Sequence, residues 1–470
     1  MRRKPTWRRG APSLLLAALL STSAAGQGDA PCALPSPLTL QAALDCVVGT
    51  HPAVAAARLE VQRAEVDLLK ARALRRPDLG FGLETGVVPE ARGDVLSSAD
   101  ESDDLDGLGP FYRLRLDAVV PIHTFGKIES TRSAAERGVE ARRQGSEATV
   151  AELALETVRA FWGLYSAVEA LELADDLTSG WEELLTEVEK AVEDPDSEVD
   201  HTDLLEVKSR EYQIILAAEE ARRNRTIART GLSLLLGQKL DEELELEPPD
   251  DPVLDDPTAV EDDVVALALR SNPRVRQLRS GLGALEAQLA LAEAFRWPDL
   301  FVAGSVRYAR ADNRTDQTNP FVKDDFNFRT VSAFIGLRWN LNFHNHGLEI
   351  EQKRAQRDET AYKLEVAEQR LRLETVRSLA EAAEQRALLT TAERSRVAAR
   401  SWVRLSGDNW ELGLGSPNRL IDAYEAFYRL GGAVIEKTAD FHVSLAGLAV
   451  ASGDIGRYLE WTRDGEIAIP

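Results

Sequence analysis

The feature that most limits what this chain can fold into is that it is written twice. "RRPDLGFGLETGVV" at 75–88 and "RWPDLFVAGSVRYA" at 296–309 each carry a proline and then a run with apolar residues at every second place. The offset that superposes Pro77 on Pro298 also superposes Pro52 on Pro273, Asp78 on Asp299 and Leu79 on Leu300. Without a gap it goes on to pair His123 with His344 and Gly126 with Gly347, in "PIHTFG" and "NFHNHG". A slightly shorter offset then pairs Leu204 with Leu420, Glu206 with Asp422 and Gly237 with Gly453. Self-similarity at this spacing means two copies of one plan, 38–237 and 260–453. The stretch between them, 238–259, is acidic and proline-bearing ("DEELELEPPDDPVLDDPT") and reads as a linker.

Within each half the periodicity changes in the same order. Ala57, Val61, Ala64, Leu68 and Ala71 fall at heptad spacing, so 52–75 is predicted helical. Pro77 ends that helix, because the residue before a proline is pushed out of the α region. Strands are predicted at 78–88 and 111–121. A helix follows from about 127 to 190, its seam running through Ala151, Leu155, Val158, Trp162 and Tyr165. At 1.5 Å per residue it extends roughly 90 Å. A polar break at 194–202 precedes a last helix to Gly237. The second half gives a helix at 262–296, strands at 299–309 and 330–341, and helices at 348–408 and 417–452, leaving 454–470 as a C-terminal tail. Helices this long cannot fold back into a compact globule and must pack side by side into a bundle or tube. The predicted class is mainly α with a small β part, in a duplicated helix–strand–strand–helix–helix plan.

The strands say where such a tube ends. In 78–88, Leu79, Phe81, Leu83 and Val87 share one face, opposed by Gly80, Gly82, Glu84 and Gly86. In 111–121, Leu114 and Leu116 oppose Arg113, Arg115 and Asp117. The second half repeats the pattern with Val302, Val306 and Tyr308, then Ile335, Leu337 and Trp339, against Ser305, Arg307 and Arg338. Strands of ~9–11 residues with one apolar face are the outer-membrane barrel signature. The plainer alternative is two hairpins resting on a soluble core. Four strands are too few to close a barrel, and open edges are not tolerated in lipid. If these strands span a membrane, several chains must therefore combine them.

Composition bounds the rest. The 470 residues carry 78 acidic against 56 basic side chains, a net charge of −22 that argues against nucleic acid as a partner. Residues 1–26 read as a signal peptide, with Arg2, Arg3, Lys4, Arg8 and Arg9 before the apolar "SLLLAALL" and the small residues of "STSAAGQ". The Arg8–Arg9 pair leaves twin-arginine export open beside ordinary secretion. Export predicts an oxidising compartment, where the only two cysteines, Cys32 and Cys46, would form a disulfide closing a short loop. "GDAP" before Cys32 is a poor context for lipid attachment.

With these residues in view, the chain resembles the outer-membrane efflux protein family of TolC-like channel tunnels over nearly all of 38–453. The resemblance rests on the duplication, the strand pair between helices, "VVPIHTFG" leading into the long helix, and "WELGLGSPNRLIDA" at 410–423. The last is similar to the family's aromatic–x–x–Gly turn followed by an aspartate-bearing helix start. The resemblance implies a homotrimer whose twelve strands form an outer-membrane barrel continued by a periplasmic helical barrel. It also implies a role as the exit duct of a tripartite efflux or type I secretion system. The partners would be a periplasmic adaptor (membrane fusion) protein, an inner-membrane RND or ABC transporter and outer-membrane lipid. By the same resemblance Trp410 stands at the tip's latch aromatic, Gly413 at the tip glycine, and Asp422 at one aspartate of a constricting ring. Asp203 matches a first-half tip aspartate. Arg419 departs from the pattern, standing where a second ring aspartate is expected.

Other constellations fall short of chemistry. His344, His346 and Glu349 lack a third histidine, and the matching "PIHTFGKIE" keeps only His123, so no metal is predicted. "DESDDLDG" imitates a calcium loop, yet its twelfth-position glutamate would be Arg113. No nucleophile–base pair is visible, so neither catalysis nor a cofactor is expected. The competing class is an exported coiled-coil scaffold that never enters lipid; an exported metal enzyme built on His344 is the other rival.

Overall fold

The computed structural model describes residues 32–93, 107–194, 199–253, 257–316, 321, 323–412, 414–465 and 467. In chain order the elements are β1 (Leu38–Thr39), α1 (Leu40–Thr50), α2 (Pro52–Ala73), β2 (Asp78–Val88), β3 (Gly109–His123) and α3 (Lys127–Glu193). Next come α4 (His201–Ser209), α5 (Glu211–Leu236), β4 (Leu246–Glu247), α6 (Pro257–Ser271), α7 (Pro273–Ala294), β5 (Asp299–Ala311) and β6 (Phe328–Arg338). The chain ends with α8 (Phe343–Glu411), α9 (Pro417–Ala451) and α10 (Gly456–Asp464). The molecule is mainly helical with a small sheet, and the order helix, two strands, long helix, helix occurs twice. The predicted signal peptide at 1–26 and most of the acidic "DESDDLDG" loop lie outside the described residues.

The two long helices set the dimensions. α3 has 67 residues and α8 has 69, so each spans about 100 Å. Shorter helices stack beside them: α2 and α7 flank the part of α3 near the sheet, and α5 and α9 flank its far part. α8 is covered the same way, by α7 and then by α9. Charged pairs between neighbours, such as Arg143–Glu65 at 2.7 Å and Arg279–Glu368 at 2.7 Å, sit on exposed faces. Such pairs set register more than stability.

Several predicted boundaries move: the helix expected to end at Gly237 is broken at Arg210 into α4 and α5, and α8 starts at Phe343, ahead of 348. The helix expected at 262–296 is two helices, because Pro273 lacks a backbone N–H and Asn272 leaves the helix to cap the next one. Its side-chain oxygen accepts from the Arg274 N–H at 3.0 Å and the Val275 N–H at 3.4 Å. His51 and Pro52 do the same between α1 and α2, with Nδ1 accepting from the Ala53 N–H at 3.2 Å. The strand expected at 330–341 instead ends at Arg338, so Trp339 lies just beyond β6. The glycine pairing also divides. Gly237 (φ +68°) and Gly453 (φ +95°) both end helices in the left-handed region, whereas Gly126 (φ +92°) precedes α3 and its counterpart Gly347 lies inside α8.

The principal core sits midway along α3. Phe161, Trp162, Leu232, Leu389, Phe441, Leu445 and Leu448 are fully buried there. Burying each side chain of this size contributes about 1.5–3 kcal/mol. The segment joining the halves is drawn into this belt. Leu38 and Thr39 pair in parallel with Leu246 and Glu247, and Val253 exchanges backbone hydrogen bonds with Gly465 and Ile467. Cys32 and Cys46 are joined in a disulfide that ties the start of the described chain to α1.

A buried polar chain fastens the belt. Trp162 Nε1–H can only donate, so Tyr458 Oη accepts from it at 3.0 Å and donates in turn to His442 Nδ1 at 3.0 Å. His442 Nε2–H then donates to Asp251 Oδ1 at 2.8 Å, and Arg386 reaches the other Asp251 oxygen at 3.3 Å. Every donor is satisfied with one neutral tautomer. Loss of hydration holds the His442 imidazole below its ordinary value, against the pull of Asp251; the His442 hydrogen bond in turn lowers Asp251. As the pH falls through 6.5, the unfolded chain takes up a proton that folded His442 refuses, so stability should decline. Asp251 stabilises above its unfolded value of 3.8 and loses that contribution as the pH falls further through its folded value. Tyr458→Phe strands the Trp162 N–H and His442 Nδ1 and should cost about 1–3 kcal/mol. Thermal unfolding followed by circular dichroism across this pH range measures both effects.

Candidate functional site

The site has two ends, a sheet and a helical tip. The four long strands form one antiparallel sheet in the order β2–β3–β5–β6. Its register decides which side chains share a face, since directly opposed residues point the same way. Phe81, Leu116, Val306 and Val331 stand in one row across the sheet. Toward the helices lie the rows Leu79, Ala118, Gly304, Ala333; then Val120, Val302, Ile335; then Leu300 and Leu337. Toward the loops, Leu83, Leu114, Tyr308 and Arg329 make the last row before Tyr112. The strand residues predicted to meet lipid therefore occupy a single face. Most are bare in the single chain: Phe81 is 71% exposed and Ile335 71%, while Leu114 and Val302 are half-buried. From Leu300 to Tyr308 the apolar band covers roughly 27 Å of strand at ~3.4 Å per residue.

Aromatic side chains mark both margins of that band. Tyr112 and Tyr308 pack at 5.9 Å at the loop end. At the helix end Phe125 stacks on Trp297 at 5.9 Å, and Trp339 meets Phe343 at 6.1 Å and donates from Nε1 to the Arg296 carbonyl at 3.0 Å. Lys127 locks this junction, reaching Asp299 at 2.7 Å and the Trp297 carbonyl at 2.8 Å. At the other end the two hairpins are braced: Asn313 Nδ2 donates to the Val88 and Gly107 carbonyls, both at 2.8 Å.

The opposite face is small, polar or charged, carrying Gly80, Gly82, Glu84, Arg113, Arg115, Asp117, Ser305, Arg307, Thr330, Ser332 and Arg338. It also holds aromatic pairs unforeseen in the sequence: Phe301 against Phe334 at 6.4 Å, with Arg338 over the Phe301 ring at 5.2 Å, and Phe111 of β3 against Phe326 at 5.0 Å. His123 packs against Phe125, and His346 is buried in α8 with Nε2 lacking a partner. Among the described residues no group of side chains is arranged to hold a metal ion.

At the far end α3, α4, α8 and α9 meet around Leu184, Val188, Val207, Leu420 and Ile421, with Trp410 packed on this cluster. Trp410 Nε1 donates to Glu187 at 3.3 Å. Asp203 accepts from the Asp200 N–H at 3.2 Å, closing a capping box that starts α4. Asp422 is exposed near the start of α9, Arg419 is exposed in its first turn, and Gly413 lies outside the described residues. Arg210, where α4 gives way to α5, adds a charged link between the halves here. Its guanidinium bonds to Glu425 and stands 3.9 Å from both Asp422 and Glu206. The Glu425 hydrogen bond raises the Arg210 pKa above its ordinary value. Arg210, Glu425 and Glu187 were not foreseen; only the Glu206–Arg210 spacing of one helical turn is legible in sequence. A groove of about 920 Å³ opens beside this link, lined by Trp181, Tyr424 and Tyr428 among others.

The model of the family described as Outer membrane efflux protein matches residues 47–238 and 264–454. The chain belongs to that family. Comparison with curated protein sequences finds no match. Among solved structures the fold is similar to that of CusC, from a study of conformational changes in folding and transmembrane channel formation. That match has a TM-score of 0.71 at 14% identity, covering 88% of this chain and 92% of that one. The outer-membrane protein VceC from Vibrio cholerae gives 0.70 at 15%, covering 88% and 96%. The open-state MtrE outer-membrane channel from Neisseria gonorrhoeae gives 0.68 at 18%, covering 88% and 89%. The efflux protein is thus an outer-membrane channel with a periplasmic helical extension, not an enzyme. Members of the family are trimeric channels that work with adaptors and inner-membrane pumps. Among the described residues no helix is long and apolar enough to cross a membrane.

Proposed function

We propose that three copies of this efflux protein combine their sheets into a twelve-stranded barrel and their helices into one periplasmic tunnel. The duct would pass substrates from an inner-membrane RND or ABC transporter and a periplasmic adaptor to the exterior, as the last component of a tripartite efflux or type I secretion system. One observation carries this reading. The four-stranded sheet has an apolar face running from edge to edge, yet among the described residues its outer strands, β2 and β6, each leave one edge unpaired. In hydrocarbon each unpaired N–H and C=O is costly, and closure with other copies is the way to satisfy all of them. A periplasmic scaffold would have no use for that face.

On this reading Leu79, Phe81, Leu83, Leu114, Leu116, Val302, Tyr308, Ile335 and Leu337 face lipid, and Trp339 lies at the interface. Around the threefold axis the tip brings Asp422 into a ring of like charges, with Trp410 and Asp203 in the same constriction. The Arg210 link to Asp422 and Glu425 offsets part of that charge, so each subunit restrains its own ring member. Motive energy comes from the partners. The purified protein is expected to require detergent and to run as a trimer on gels until heated. A water-soluble monomer that stays dispersed without amphiphile contradicts the proposal.

A further inference from the structure

The charged residues on the polar face of the sheet are not evenly mixed. Arg115 on β3 stands directly opposite Arg307 on β5, and their row is completed by Gly82 and Thr330, so it contains no acid. Like charges directly opposed on neighbouring strands destabilise a sheet. The adjoining rows are quieter. On the loop side Arg113 is paired with Glu84 at 2.7 Å. On the helix side Ser305 and Ser332 bond each other at 2.9 Å, and Asp117 lies 3.9 Å from Arg115, a loose pair. Arg307 is exposed and, among the described residues, has no carboxylate partner. There is room beside the pair at its own glycine and at the next one: a Cβ added at Gly82 meets only the Cβ of Arg115 at 3.9 Å, and one at Gly80, in the adjoining row, meets no atom within 4 Å.

We propose that Arg115 and Arg307 form a guanidinium girdle in the barrel lumen that holds anionic groups of the cargo, whether phosphate, sulfonate or carboxylate. The inference rests on the trimeric barrel proposed above, which places two guanidiniums per subunit at one level, facing inward. Guanidinium forks bind such oxyanions in paired hydrogen bonds, and arginine rings in pores select anions. The girdle sits beyond the acidic tip. A cargo carrying a negative group, repelled at the periplasmic constriction unless a partner opens it, would gain a paired guanidinium site within the barrel.

Inorganic pyrophosphate is the probe. Calorimetric titration of the detergent-solubilised trimer should show saturable binding that weakens about tenfold or more in Arg115→Gln/Arg307→Gln. The charge-preserving Arg115→Lys/Arg307→Lys pair should fall between the wild type and the glutamine pair, keeping the charge and losing the fork. Equal pyrophosphate affinity in the wild type and the glutamine pair, or no binding by a wild-type trimer, overturns the girdle while leaving the trimeric duct intact. Failure of the wild-type chain to form a trimer defeats the duct reading itself. Should the glutamine pair not assemble, Arg307→Gln alone must weaken binding, since its guanidinium has no carboxylate partner whose loss could disturb the sheet.

Discussion

Leu116→Arg is expected to abolish the folded trimer. Leu116 lies in the row Phe81, Leu116, Val306, Val331, inside the apolar band bounded by the aromatic margins at Tyr112 and Trp339. An arginine on the lipid face at the bilayer midplane costs about 2–4 kcal/mol. Threefold symmetry repeats the cost in every subunit, against a net stability of only about 5–15 kcal/mol for a typical domain. Ser305→Arg is the control. Ser305 stands opposite Asp117 on the other face, one residue from the same row, so its arginine would meet water and a carboxylate. Heat-modifiable trimers should vanish for Leu116→Arg and persist for Ser305→Arg. Equal tolerance of the two would mean that the apolar face does not meet lipid.

The second large effect is expected at the tip. Among the described residues Arg210 is the one cation paired with Glu206, Asp422 and Glu425, and it connects the first-half helices to α9. Its side chain is 26% exposed, so the link is only partly screened by solvent. Arg210→Ala removes the bond and leaves three carboxylates facing one another. A loss of ~1.5 kcal/mol in the closed arrangement, at the low end for hydrogen bonds to charged groups, raises the open population roughly tenfold. Single-channel recording in planar bilayers should show a matching rise in open probability, with Arg210→Lys in between. No change in opening would mean that the constriction is held elsewhere, with Trp410 and Glu187 the next candidates.

The architecture was legible in the sequence because its cues are periodic. Pro77 and Pro298 stop helices where strands begin, and the alternation through Leu79–Leu83 and Val302–Tyr308 fixes a face without any knowledge of partners. Boundaries were less legible. Pro273 could be carried inside a long helical pattern because the apolar spacing continues past it, and only Asn272 turning back to cap the next helix reveals the break. Contacts between distant segments left no local trace. Nothing near His442 announces Asp251, Tyr458 or Trp162, and nothing near Arg210 announces Glu425. Those pairings depend on which helices stack against α3 and α9. The tip residues Asp203, Trp410, Arg419 and Asp422 could be named only by resemblance, since their proposed role arises where three copies meet.

Disulfide trapping across the open edges of the sheet tests the central claim most directly. Within one chain β2 and β6 are separated by two intervening strands, roughly 14 Å, too far for a bridge between them. The native Cys32 and Cys46 are already bridged to each other. Cysteine pairs placed on β2 at Gly80, Gly82 or Glu84 and on β6 at Thr330 or Ser332 should, at the matching register, oxidise into covalent dimers and closed trimers. Chains that remain monomeric on non-reducing gels at every pairing, while folded and inserted, would contradict a barrel shared between subunits.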